Sequence, residues 1–135
     1  MCMASSIDRP AKLKDMRVLV VEDEPLVQML ASHALEDAGF AVRAAWNADE
    51  ALRVLGEHAE TVQVLFSDVN MPGDMDGIEL AEEVHRRWPH ILLLLSSGQA
   101  KLADGQIPDS GRFVAKPYDT AQVLGQIHAL MGRHA

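Results

Sequence analysis

The sequence is poor in cysteine: Cys2 stands alone among 135 residues. No internal disulfide can form, and a reducing compartment such as the cytoplasm is the expected setting. Cations are also scarce. Twelve Lys and Arg face 20 Asp and Glu, a formal net charge of −8. Gripping a phosphate backbone needs the opposite sign, so no direct nucleic-acid contact is expected. Long apolar runs are missing as well. The longest clear one, Ile91–Leu95, falls far below the roughly 18–20 residues a membrane helix requires. The opening M-C-M-A-S-S-I-D lacks the basic patch and apolar stretch of a secretion signal.

What is present suits a packed domain. The chain is 48% hydrophobic and 24% charged, a globular rather than a disordered balance, at a length typical of one domain. Residues 1–15 read as a polar, flexible lead and 16–135 as the domain. Within it, short apolar runs alternate with amphipathic stretches. Strands are expected at Arg17–Val21, Phe40–Ala45, Val62–Ser67, Ile91–Ser96 and Arg112–Ala115. The first, third and fourth are almost continuously apolar, the mark of strands buried on both faces of a parallel sheet.

The stretches between read as helices. Pro25 suits a first helical position, and Leu26, Val27, Leu30, Ala31, Ala34, Leu35 and Ala38 make an apolar stripe ending before Gly39. Asn47 with Glu50 suggests a capping box. A third helix starts near Gly77 and stops before Pro89, and a last one starts at Asp119. Gly98 to Gly111 leaves room only for a short or irregular helix, because Gly105 and Pro108 interrupt it. The sum is α/β: a doubly wound parallel sheet of five strands, (βα)5.

Ligands of such sheets bind beyond the carboxyl ends of the strands. Glu22, Asp23 and Glu24 follow the first strand, Asp68 the third, Ser96 to Gly98 the fourth, and Lys116 the fifth. Two carboxylates about 4 Å apart repel by about 4 kcal/mol at an effective dielectric near 20. A divalent cation removes that penalty, and hard oxygen donors with room for water favour Mg²⁺. A lysine adds a charge that can hold a phosphoryl oxygen. A carboxylate beside both is a plausible nucleophile toward phosphorus.

The pieces V-L-V-V-E-D, S-D-V-N-M-P-G-D-M-D-G, L-L-S-S-G and V-A-K-P, in that order, resemble the receiver domain of bacterial two-component response regulators. The resemblance runs from about Met16 to Met131. It implies a flavodoxin-like sheet of strand order 2-1-3-4-5. It implies Asp68 as phosphoacceptor and Asp23 as a direct Mg²⁺ ligand. Glu22 would act mainly through metal-bound water, and the backbone carbonyl of Asn70 would complete the protein's share. It further implies Ser96 as the switch hydroxyl, Lys116 as the family's lysine, and Phe113 as its rotating aromatic. A histidine kinase or histidine phosphotransfer protein would donate the phosphoryl group, and the chain would also catalyse its own dephosphorylation. The modification adds about −1.5 to −2 charge, and the output face would then change its partner preference. Two positions depart from the commonest pattern: Ser96 stands where Thr is frequent, and Tyr118 where Phe is common.

Blander roles compete at several positions. Asp23 and Glu24 suit a helix N-terminus, Asp74 and Asp76 suit a turn and a cap, Ser97 continues a loop, and Phe113 suits a core. The six histidines show no H-E-x-x-H spacing. Among rival functions, a phosphotransferase of the haloacid dehalogenase type expects an acid two residues after its nucleophile, where Asn70 stands. A flavin or nucleotide carrier expects a phosphate loop after the first strand, where E-D-E-P repels phosphate. An inert receiver-like module would not need Asp23, Asp68, Ser96 and Lys116 together. No output segment is legible after Met131, so signalling by protein–protein contact is expected, from a single-domain regulator or a receiver of a hybrid histidine kinase. The oligomeric state is left open.

Overall fold

The computed structural model describes residues 16–71, 73–98 and 111–133. β1 (Arg17–Val21) leads into α1 (Pro25–Asp37), β2 (Ala41–Ala45) into α2 (Ala48–His58), and β3 (Val62–Asp68) into α3 (Gly77–Arg87). β4 (Leu92–Ser97), β5 (Arg112–Ala115) and α4 (Thr120–Arg133) follow. All pairings are parallel, in the order β2-β1-β3-β4-β5. This is the expected doubly wound sheet, with its switch point between β1 and β3. The expected lead, with Cys2, and the expected short fourth helix fall in 1–15 and 99–110, outside the described residues.

The apolar runs occupy the middle of the sheet because every side chain there finds a hydrocarbon neighbour. Successive residues point to opposite faces, so each central strand supplies two cores. On one face Leu19, Leu65, Leu93 and Leu95 meet Leu55 of α2 and Leu80 and Val84 of α3. On the other, Val20, Phe66, Leu92 and Leu94 meet Leu35 of α1 and Ile127 and Leu130 of α4.

Helix starts follow local hydrogen bonding. Asp76 and Glu79 form a reciprocal capping box at α3, and Asp119 and Gln122 do the same before α4. At α2 the expected box is displaced by one residue. Asn47 accepts from Glu50 N at 2.8 Å, but the Glu50 carboxylate accepts from Trp46 N at 2.6 Å.

The α1 stripe needs a larger correction. Of its residues only Ala31 and Leu35 are buried, while Leu26 is 61% and Leu30 58% exposed. Adjacent residues stand about 100° apart around a helix, so a stripe of neighbouring pairs is two rails. Only the rail that includes Ala31 and Leu35 faces the sheet.

Candidate functional site

Parallel strands end at one edge, which gathers residues far apart in sequence. Glu22, just past β1, is held there by its own N–H, which donates to Ala45 O at 3.1 Å. Its Oε2 accepts from Glu24 N at 3.2 Å. Asp68 is the last residue of β3, and Lys116 follows β5. The ammonium of Lys116 donates to Glu22 Oε1 at 3.0 Å and to Asp68 Oδ2 at 3.2 Å. Asp23 joins them: one carboxylate oxygen from each of Glu22, Asp23 and Asp68 lies within 4.8 Å of the others. Three strand ends therefore converge on one acidic pocket closed by one cation.

The electrostatics are uneven. Glu22 and Asp68 are buried, at 4% and 7% exposure, whereas Asp23 is the most open of the three. Burial holds the Glu22 carboxyl above its usual range; the Lys116 and Glu24 hydrogen bonds pull it down, and the charge of Asp68 pushes it further up. For Lys116, burial acts downward, but the hydrogen bonds and charges of Glu22 and Asp68 outweigh it and hold the ammonium above its ordinary value. Three carboxylates against one ammonium leave excess negative charge. Hard oxygen donors, two fixed and one at the open rim, fit a small divalent cation that keeps some of its water.

Asn70 serves the pocket through its backbone and a neighbour through its side chain. Its N–H donates to Asp68 Oδ1 at 3.3 Å, and its carboxamide Nδ2 donates to Ser97 Oγ at 3.2 Å. The turn leading away from Asp68 is closed by Gly77, whose N–H donates to Val69 O at 2.8 Å. Asp76 caps α3, as its blander reading expected.

The serines at the end of β4 fall differently from expectation. β4 continues through Ser97, so this residue belongs to the strand rather than to a loop. Ser96 pairs with Asp68 in the ladder, and its carbonyl accepts from Val69 N at 2.8 Å. Its side chain, however, continues the row of Leu92 and Leu94 toward α1 and α4, because side chains alternate along a strand. Phe113 packs in the opposite layer, with Leu93 and Leu95. The structure thus sets Ser96 and Phe113, expected to act together, on opposite faces. Ser97 shares the face of Phe113. The signal for it lay in the alternation of the run Leu92–Ser97 itself.

Beside Lys116 an open groove is lined by Val27, Leu30, Gly98, Pro117 and Tyr118. Tyr118 also packs on Phe66, with ring centroids 5.5 Å apart.

The comparisons with known proteins agree with this geometry. The family model described as response regulator receiver domain matches residues 18–128. Sensor kinase CckA of Brucella abortus is 33% identical over 117 residues, covering 84% of this chain and 12% of that protein. Virulence transcriptional regulatory protein PhoP of Salmonella typhimurium is 32% identical over 127 residues, covering 89% of this chain and 54% of that protein. The chain therefore spans only about a tenth to a half of these two relatives. A response regulator receiver domain protein from Clostridium thermocellum superposes with a TM-score of 0.80 at 23% identity, over 88% of this chain and 96% of that one, a likeness of fold.

Proposed function

Because the chain belongs to the response regulator receiver domain family, we propose that it is a phosphoacceptor of two-component signalling that takes a phosphoryl group onto Asp68. The observation that carries this reading is the bridge from Lys116 to Asp68 and Glu22 at the common strand edge. A buried carboxylate there has a cation positioned to meet a phosphoryl oxygen and two further acids to hold Mg²⁺. The donor is the phosphohistidine of a histidine kinase or histidine phosphotransfer protein.

In the transfer, the P–N bond of the donor breaks as a P–O bond forms to Asp68, and the imidazole leaves with the electron pair. Asp68 supplies the nucleophile. Lys116 follows the negative charge from the carboxylate to the phosphoryl oxygens, and Asn70 N–H keeps Asp68 oriented. Asp23 and Asp68 would hold Mg²⁺ directly, Glu22 through its water, and Asn70 through its carbonyl. The ion supplies neutralisation of charge spread over the phosphoryl oxygens in the transition state. Reversal to the resting state is hydrolysis: water attacks phosphorus and Asp68 departs as carboxylate.

A hydroxyl at the end of β4 then meets the new phosphoryl group, Phe113 responds, and the changed surface is read by another protein. A coupling of about 1–3 kcal/mol suffices for a 5–150-fold change in partner affinity. No helix among the described residues is long and apolar enough to cross a membrane, and the proposed setting is the cytoplasm. The similarity to sensor kinase CckA favours, as second reading, the receiver of a hybrid histidine kinase.

The test is incubation with acetyl phosphate and Mg²⁺ followed by intact-mass measurement. The wild type should gain one phosphoryl group and Asp68→Asn none. A wild type that gains nothing, or a variant that gains as much, overturns the reading.

A further inference from the structure

Between α1 and α4 runs an apolar groove of about 240 Å³, lined by Ala31, Leu35, Phe66, Val123, Leu124 and Tyr118. Ala31, Leu35, Phe66 and Val123 are core residues, so the groove opens directly onto hydrocarbon. An apolar cavity of about 150 Å³ already accepts benzene, and this one is larger.

Two features at its lower end point to what fills it. The first is the place where the chain enters the sheet. A helix that follows a parallel strand runs back along it, so α1 and α4 end beside the start of β1. There the Met16 carbonyl accepts from Ala41 N–H at 3.0 Å. The Met16 side chain, like Ala38 and Met131, packs against the same core that lines the groove. Residues 1–15 therefore join the domain on its α1–α4 side. Ala38 stands about 10 Å along α1 from Ala31, and a segment of this length reaches about 50 Å at full extension.

The second feature is charge. α1 ends on Glu36 and Asp37 with no basic residue in its last turn, although a helix C-terminus favours cations. Neither acid is ion-paired among the described residues. α4 has no acidic residue, so the unmatched negative charge belongs to α1. The segment before Met16 is its complement. Arg9, Lys12 and Lys14 against Asp8 and Asp15 make it net cationic in a chain of net charge −8, and Met3 and Ile7 give it apolar side chains.

We propose that residues 1–15 form an intramolecular strap: Lys12 and Lys14 meet Glu36 and Asp37 at the end of α1, and Met3 and Ile7 seat in the α1–α4 groove. Burial of apolar surface supplies the attraction, and the charge pairing fixes the direction in which the segment turns back. A second copy is the poorer occupant, because it brings its own excess of acid to an acidic helix end. The groove shares Tyr118 with the one beside Lys116. The strap therefore lies next to the approach to the acidic pocket, and a protein that uses the α1–α4 face must displace it. None of this requires Asp68 to accept a phosphoryl group.

Cys2 is the chain's only cysteine, so a nitroxide attached there reports where the segment lies in the full chain. In amide nuclear magnetic resonance spectra, residues 31–35 and 120–124 should lose most of their intensity, while α2 and α3 on the opposite face keep theirs. Lys12→Glu with Lys14→Glu should restore the lost intensity, and adding Glu36→Lys with Asp37→Lys should abolish it again. Met3→Asp with Ile7→Asp should restore it as well. A mixture of spin-labelled chain with isotope-labelled chain carrying no nitroxide should show every amide intact. Loss confined to the surroundings of Met16, or spread evenly over the domain, overturns the strap. Loss in the mixed sample assigns the groove to a second copy and overturns it too. Loss that persists through the lysine reversal overturns the pairing with α1.

Discussion

Gly77 shows how tightly one position is constrained. A Cβ there would stand 2.1 Å from the Asp68 carbonyl oxygen and 2.7 Å from Val69 Cα. Both are backbone atoms and cannot swing aside, so Gly77→Ala must push α3 away from the end of β3 and carry Asp68 with it. The expected loss is about 1–3 kcal/mol, as for other overpacked sites, read from urea unfolding, together with slower phosphorylation by acetyl phosphate. Gly56, inside α2, meets nothing within 4 Å; Gly56→Ala should instead stabilise by roughly 0.5–1 kcal/mol. Equal effects at the two glycines would contradict the close approach at Asp68. Tyr118 gives a second check at this scale, since it is the sole tyrosine. Burial raises its phenol pKa above 10.0, and the charge of Glu22 raises it further, against a lowering contribution from Lys116. The folded state therefore favours the neutral phenol. Its stabilisation is whole below the unfolded value of 10.0 and is lost as pH climbs through the raised value. Tyrosinate absorbance should show a midpoint above that of the urea-unfolded chain, and Glu22→Gln should lower the folded midpoint. A folded midpoint at or below the unfolded one would refute the burial of Tyr118 beside the acidic pocket.

Among the elements, α1 discriminates best between what periodicity reveals and what only packing decides. Leu35 is 1% exposed and Leu30 58%, although both belong to the same apolar stripe. Leu35→Ala should cost about 2–5 kcal/mol through lost burial and a cavity. Leu30→Ala should stay within about 0.5 kcal/mol, as at other surface positions. Urea midpoints of the two variants decide between one rail facing the sheet and two. The strands were easier to read. β1, β3 and β4 each carry a run of three or four consecutive apolar residues because both faces are covered, and that needs no knowledge of the partner helix. Helix starts at Asp76 and Asp119 were legible because capping is a local exchange of hydrogen bonds within four residues. The acidic pocket was legible for a related reason: in a parallel sheet all strands end at one edge, so Glu22, Asp23, Asp68 and Lys116 could be brought together by order alone. The end of β4 was read one residue short, at Ser96, whereas the strand runs through Ser97, because two serines after an apolar run carry no signal for where the ladder stops. The Asn70–Ser97 bond depends on a loop conformation that no spacing rule supplies.

For the molecule as a whole, the decisive quantity is the balance of charge at the strand edge against a fold that carries a net charge of −8. Any salt screens the general repulsion between exposed charges, and at about 0.1 M it does so beyond roughly 10 Å. A site-bound cation acts differently, because it adds stability by mass action only where the folded chain holds it. At matched ionic strength, Mg²⁺ at a hundredfold its dissociation constant should stabilise the fold by about 2.7 kcal/mol over a sodium salt. Asp23→Ala removes one of the three converging oxygens while leaving the Lys116 bridge to Glu22 and Asp68 in place. It should abolish most of the Mg²⁺ increment with little change in sodium alone. Lys116→Ala makes the opposite prediction. Without the ammonium, the buried carboxylates of Glu22 and Asp68 face each other uncompensated, so the variant should be less stable than wild type in sodium. The same excess of charge attracts the divalent ion more strongly, so its Mg²⁺ increment should exceed that of the wild type. Thermal unfolding of the three proteins in both salts reads all of these terms. If Lys116→Ala gains no more from Mg²⁺ than wild type does, the ammonium and the cation do not share a pocket, and the electrostatic basis of the phosphoacceptor reading fails.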